Sequence, residues 1–215
     1  MQPCDFVQQL SELEFDDVFN PYMDRCQEFD RWDAPRRRRE LLLATIEAAA
    51  AVELDSLWVG RDLGYRGGRR TGIALTDDIH LEMHARRWAI SFTRATKGKP
   101  MGERTAAIIW NVLSGIRMRI FLWNIFPLHP HQPGEPFTNR PHRRVERIVG
   151  EDVLANLIDL LRPRRVIAIG SDAGKSISRI VGKSTACTSE LRQVRHPSYG
   201  GHKVFVAQIN GIYGS

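Results

Sequence analysis

Three polar side chains stand at the ends of apolar runs, and each is of a type that can do chemistry. Asp62 follows Leu57-Trp58-Val59 and lies in the segment from Gly60 to Thr76, GRDLGYRGGRRTGIALT. Asn124 sits in the apolar and aromatic run that starts near Arg119, at the head of WNIFPLHPH (123–131). His196 opens His-Pro-Ser within RHPSYGG (195–201). A carboxylate can orient water and stabilise a developing cation, and an imidazole can donate to a leaving group as charge builds on it. A primary amide offers a donor and an acceptor side by side, enough to read one edge of a planar ligand. The five glycines between residues 60 and 76 allow positive φ and close approach of backbone to a ligand. Each signal also has a plainer reading. The glycine segment alone reads equally as a flexible basic surface loop, Asp62 as a cap on its backbone amides, and Asn124 as a turn cap.

The surrounding pattern predicts elements that would bring these residues together. Residues 1–35 suggest one or two short helices, and residues 36–51 a helix opened by four arginines, which read as a solvated face. Strands are expected at Ser56–Gly60, Arg119–Phe126, Val166–Gly170 and Leu191–Arg195. Helices are expected at Asp77–Trp88, Glu103–Ile116, Arg143–Leu161, from Gly170 through Ile180, and at Gly201–Tyr213. Ile109, Val112, Leu113 and Ile116 form one helical stripe; Leu154, Leu157, Ile158 and Leu161 form another. Residues 93–102 and the proline-rich stretch 129–141 read as loops. Strands alternating with helices imply an α/β fold, a three-layer α/β/α sandwich around a mostly parallel four-stranded sheet. In such sheets ligands bind at the carboxyl ends of the strands, where all three polar residues fall.

With 215 residues the chain is long enough for a full core, and it reads as one domain whose first 52 residues form a helical part on the core. Lys and Arg outnumber Asp and Glu by 31 to 25, which suits a phosphate-bearing partner better than an acidic one. No apolar run is long enough to cross a membrane, and no secretory signal opens the chain, so a cytoplasmic monomer is expected. Three scattered cysteines, Cys4, Cys26 and Cys187, give no disulfide framework.

Taken in this order, the three segments resemble the motifs of the uracil-DNA glycosylase superfamily. Gly60-Arg61-Asp62 followed by Thr71-Gly72-Ile73-Ala74-Leu75 resembles the first motif, Asn124 the middle one, and His196-Pro197-Ser198 the last. The spacing from Gly60 to Leu75 is similar to the single-strand-selective branch, whereas Asp62 is what the main branch carries. The resemblance implies a monofunctional uracil-DNA glycosylase that flips the base out and hydrolyses its bond to the sugar, using no cofactor and no metal. It implies Asp62 and His196 as catalytic residues and Asn124 as the group that reads uracil. Leu75 would cover the base where relatives usually place Phe. Gly64 would stand where the main branch has a Tyr that excludes thymine, with Tyr65 beside it. Phosphate contacts would come from Arg69, Arg70, Thr76, Ser198 and the proline loop. Gly200 falls where relatives insert a wedge, so Tyr199, His202 or Lys203 would take that part. The iron–sulfur branch needs four cysteines, one more than this chain has.

Two other patterns compete. Gly170-Ser171-Asp172-Ala173-Gly174-Lys175-Ser176 after a strand looks like a nucleotide-binding phosphate loop, but has three residues where that loop has four. His129, His131 and His142 could bind a metal, yet their proline-interrupted spacing reads better as a solvent-exposed loop. Leu75 and Gly200 also leave open a catalytically silent DNA-binding relative.

Overall fold

Consecutive apolar residues in a strand require cover on both faces, and this decides the layering. In the computed structural model, which describes residues 1–181, 190–198 and 200–214, the elements follow one another as α1 (Pro3–Ser11), β1 (Val18–Phe19), α2 (Ala34–Ala50), β2 (Ser56–Asp62), α3 (Gly68–Thr71), α4 (Leu81–Trp88), α5 (Arg104–Ser114), β3 (Ile120–Phe126), β4 (His129–Pro130), α6 (Arg144–Leu161), β5 (Arg165–Ile169), α7 (Ser171–Val181), β6 (Glu190–Val194) and α8 (His202–Tyr213). Four strands pair in parallel in the order β3-β2-β5-β6. Side chains alternate across the sheet. Leu57, Val59, Phe121, Trp123 and Val166 therefore enter one core with α1, α2, α6 and α7. Trp58, Leu122, Ile167 and Val194 enter a second core with α5 and α8. The result is the expected three-layer α/β/α sandwich, with helices on both faces of a parallel sheet.

The long amphipathic helices form within two residues of where the stripes place them. The expected helix at Asp77 starts only at Leu81. The carboxylate of Asp77 accepts from the backbone N–H groups of Ile79 and His80 at 3.1 and 3.0 Å, holding a turn ahead of the helix. Strand β2 runs two residues past Gly60, so Asp62 is its last residue, paired with Phe126 of β3.

Two features depart from the sequence reading. Residues 18–19 form an antiparallel pair with residues 129–130, linking a segment expected to be only helical to one expected to be only loop. A two-residue strand carries no periodicity to read. The phosphate-loop reading also fails, because α7 begins at Ser171, directly after β5. The N–H of Gly174 donates to the carbonyl of Gly170 at 3.1 Å as in any first helical turn, so no loop is left to cradle a phosphate. Among the described residues no helix is long and apolar enough to cross a membrane.

Candidate active site

Parallel register brings the three polar residues to one end of the sheet. Gly60 of β2 is paired with Asn124 of β3, and Ile169 of β5 with Val194 of β6, two residues before His196. A cavity of about 600 Å³ opens there, lined among others by Asp62, Gly64, Leu75, Glu103, His196 and Ser198. A cleft of similar size, about 580 Å³, lies at the opposite end beside Leu54 and Arg162, and its lining holds no histidine or cysteine.

Asp62 is tethered on both oxygens. Arg61 Nε donates to Oδ2 at 2.8 Å, and His142 Nδ1 makes a short hydrogen bond with Oδ1. His142 itself is nearly buried and lies edge-on to Phe126. Fixed in this way, the carboxylate keeps lone pairs for a water while its orientation is set by two partners. The sequence reading put His142 in a solvent-exposed loop; in fact the loop folds back so that this ring meets the end of β2. His129 departs from that reading too. It is fully buried, and burial with the nearby Arg69 cation pushes its pKa down to about 3. Its Nε2 lies 2.9 Å from the carbonyl of Thr138, a structural bond. Among the described residues no group of three or more His, Cys, Asp or Glu could hold a metal ion.

His196 has its tautomer fixed by the turn that follows it. The N–H of Ser198 donates to Nδ1 at 3.1 Å, and Ser198 Oγ lies 2.7 Å from the same nitrogen. Nδ1 is thus an acceptor, and in the neutral ring the proton sits on Nε2. Burial holds the pKa below its ordinary value, and the Arg61 and Arg195 cations lower it further. The ring at the cavity wall is therefore a neutral hydrogen-bond donor.

Asn124 is only 1% exposed, yet neither its amide nitrogen nor its amide oxygen has a partner among the described residues. Burying such a group unpaired costs about 1–3 kcal/mol, so native chains rarely do it without reason. Gly60 explains the room beside it. A methyl on Gly60 would stand 2.5 Å from Asn124 Oδ1 and 3.1 Å from Leu75 Cδ2. Leu75 itself adopts a left-handed backbone, φ 54°, which branched side chains avoid. Asn124, Gly60 and Leu75 thus lie side by side; Leu75 lines the cavity, while Asn124 is not among its lining residues and lies behind that wall.

Glu103 was not anticipated from the sequence. It stands at the N-cap position of α5 without a capping side-chain bond, and its carboxyl fills the space that side chains at residues 64 and 67 would need. A methyl on Gly64 would stand 2.7 Å from Oε1, and one on Gly67 2.0 Å from Oε2. Burial and the nearby Asp77 carboxylate push its pKa up to about 7, against the opposing pull of Arg66. Nothing local in the sequence marks this residue, because its partners lie in a loop far along the chain. Tyr65, expected beside Gly64 at the base, is not among the residues lining the cavity. Its backbone N–H donates to Asn139 Oδ1 at 3.0 Å, and its hydroxyl accepts from Arg66 Nε at 2.7 Å.

Three of the expected phosphate contacts are inside the molecule. Arg69 and Arg70 are each 4% exposed, and Thr76 is fully buried. Arg69 lies over the rings of Phe19 and Phe137, and Arg70 pairs with Asp78 at 2.9 Å while covering Phe29. Thr76 accepts from Trp110 Nε1 and donates to the carbonyl of Ala74. These residues hold the glycine loop to the core, and no phosphate can reach them here. Ser198 lines the cavity, and His202 and Lys203 are exposed on the first turn of α8. Tyr199, the expected wedge, lies outside the described residues, as does Cys187.

No family model matches the sequence, and no curated protein does. Among solved structures the fold is similar to the crystal structure of wild-type SMUG2 from Pedobacter heparinus. The TM-score is 0.67 over 100% of this chain and 97% of that one, at 15% sequence identity. At that identity the likeness establishes a common fold.

Proposed function

We propose that the protein is a monofunctional uracil-DNA glycosylase, acting as a cytoplasmic monomer on uracil in single- or double-stranded DNA without a cofactor. One observation carries the reading: the amide of Asn124 is buried with both polar atoms unpartnered, at the strand ends where Asp62 and His196 meet one cavity. The fold shared with SMUG2, a protein of the uracil-DNA glycosylase superfamily, agrees with the motif resemblance. In this reading the amide nitrogen of Asn124 donates to uracil O4 and its oxygen accepts from N3–H. Cytosine presents the opposite pattern at those positions. The flipped base lies under Leu75. The bond between N1 and C1′ breaks heterolytically, its electron pair flowing toward uracil O2, where His196 Nε2–H donates. Asp62 offsets the positive charge on the sugar and holds the water whose oxygen bonds to C1′. Uracil leaves as its anion; the proton that water loses passes to the Asp62 carboxylate and on to solvent, the anion takes up a proton from solvent, and the products are uracil and an abasic site. No lysine is among the residues lining the cavity, so a Schiff base and strand cleavage are not expected.

An oligonucleotide carrying one uracil tests the reading: alkali should cleave it at that position after incubation with the protein, and should leave the matching cytosine oligonucleotide intact. Retained DNA binding with no abasic product would sink the enzyme and leave a catalytically silent DNA-binding relative.

A further inference from the structure

The cavity is flanked by a second cleft whose chemistry differs. It measures about 410 Å³ and is lined by six cations, Arg61, Arg143, Arg144, Arg147, Lys175 and Arg179, with one carboxylate, Asp172. Arg61, Pro141 and Asp172 line both spaces, so the cleft runs directly out of the active-site cavity.

The six cations are unequally neutralised. Arg61 is held by Asp62 at 2.8 Å and Asp172 at 3.2 Å, and Arg143 by Asp17 at 2.7 Å. Arg147 and Arg179 share one carboxylate, that of Glu151, at 2.7 and 2.6 Å. Arg144 and Lys175 meet no carboxylate among the described residues. Arg144 and Arg147 stand one turn apart at the start of α6, and Lys175 and Arg179 one turn apart on α7. Side chains so spaced are neighbours on a helix surface, about 5–6 Å apart at Cβ. Two short rows of positive charge therefore border one cleft, with two charges unmatched and two more sharing a single anion. Like charges gathered in this way repel one another, and a string of anions relieves that repulsion.

We propose that this cleft carries the phosphodiester backbone of the DNA strand next to the nucleotide held in the cavity. The identity of the strand rests on the glycosylase reading; the anion preference rests on the charges alone. The cleft supplies the phosphate contacts that buried Arg69 and Arg70 cannot. It also gives a role to Lys175, whose place in a degenerate phosphate-loop motif is otherwise accidental. Arg144 and Lys175 supply the contacts that change most on binding, since the other four are already tied to carboxylates.

The test is the double variant Arg144→Gln/Lys175→Gln, with fluorescence anisotropy on a short oligothymidylate that contains no uracil. Over about 50 to 200 mM salt, the slope of log K against log salt should shrink by about 1.4, from two lost phosphate contacts, with binding about tenfold weaker. The control pair Arg117→Gln/Arg162→Gln removes the same charge from exposed sites at the amino ends of the strands, and should leave both quantities nearly unchanged. Equal losses in the two pairs, or none in the first, would overturn the proposal. Displacement of the oligonucleotide by sub-millimolar inorganic phosphate would do so too, since it would mark a small-anion site. Uracil excision by the wild type is scored separately. Slope loss without any excision would keep the cleft and reject the glycosylase, whereas excision with an unchanged slope would do the reverse.

Discussion

Asp62 and Glu103 are two carboxyl groups on one cavity, and their surroundings are opposite. Asp62 faces an arginine and a histidine, which bind its two oxygens and fix its direction. Glu103 faces another carboxylate, Asp77, and lies against glycines that offer it no side-chain donor. On the glycosylase reading the first takes part in the chemistry, while the second, with its raised pKa, sets the charge of the cavity wall as pH changes. The first sits at the end of a strand, where position is set to fractions of an ångström by sheet pairing. The second sits at a helix start, its carboxyl packed directly against Gly64 and Gly67.

If this division is correct, Asp62→Asn should have the largest effect. It removes charge at nearly constant volume, so single-turnover excision should fall by about three orders of magnitude while oligonucleotide binding persists. Wild-type rates in the variant would show that Asp62 only caps the strand and would erase the contrast with Glu103. His196→Ala should cost about two to three orders of magnitude on the same assay. Because burial and two arginine cations lower the ring's pKa, any change in wild-type excision from its protonation should appear at lower pH than for an ordinary histidine. A variant that merely melts earlier, with normal chemistry, would make His196 a structural residue of the His-Pro-Ser turn.

Asn124→Ala sharpens the comparison from the other side, because function and stability should move apart. Excision of uracil should drop about tenfold to a hundredfold, the loss expected when a substrate edge finds no partner. The melting temperature should stay level or rise, since the change removes two buried unpaired atoms. A sharp fall in melting temperature would mean that the amide has partners in the folded state and is no waiting recognition group.

How much of this was legible in the sequence follows from the range of the forces involved. Strands β2, β3 and β5 and helices α5 and α6 write their burial into local periodicity, and their bounds fall within about two residues of expectation. Asp62, Asn124 and His196 were legible because each ends or follows an apolar run whose direction fixes which end of the sheet it reaches. Glu103 and His142 were not, because what makes them notable is contact with residues far away in the chain. Arg69 and Arg70 misled for the same reason. A glycine-rich, arginine-rich loop looks solvated until Phe19, Phe29, Phe137 and Asp78 arrive from elsewhere to cover its guanidiniums.

Glu103→Gln should have the smallest effect on excision and the most specific signature. The carboxyl's pKa of about 7 in the folded protein lies above that of the unfolded chain. At low pH both states hold the proton and the group is silent. As pH rises through the usual carboxylate range, the unfolded chain releases its proton first, while the folded protein keeps it until about pH 7. The unfolded state then binds fewer protons, so the wild type loses stability across that window and bears the whole cost above it. After discounting for partial exposure, that cost is about 1–2 kcal/mol. Glutamine keeps the shape and cannot ionise, so the variant should gain this much stability over wild type at about pH 8, less at about pH 5 and almost nothing near pH 3, read by denaturant unfolding. On the glycosylase reading, ionised Glu103 also adds a negative charge to the cavity that admits the nucleotide. Wild-type binding of a uracil oligonucleotide should therefore weaken by roughly two- to fivefold between pH 6 and 8, and the variant's should weaken less. Parallel pH profiles for the two proteins, in stability and in binding, would show that Glu103 is solvated like any surface carboxylate. The cavity wall would then carry a fixed charge between about pH 6 and 8.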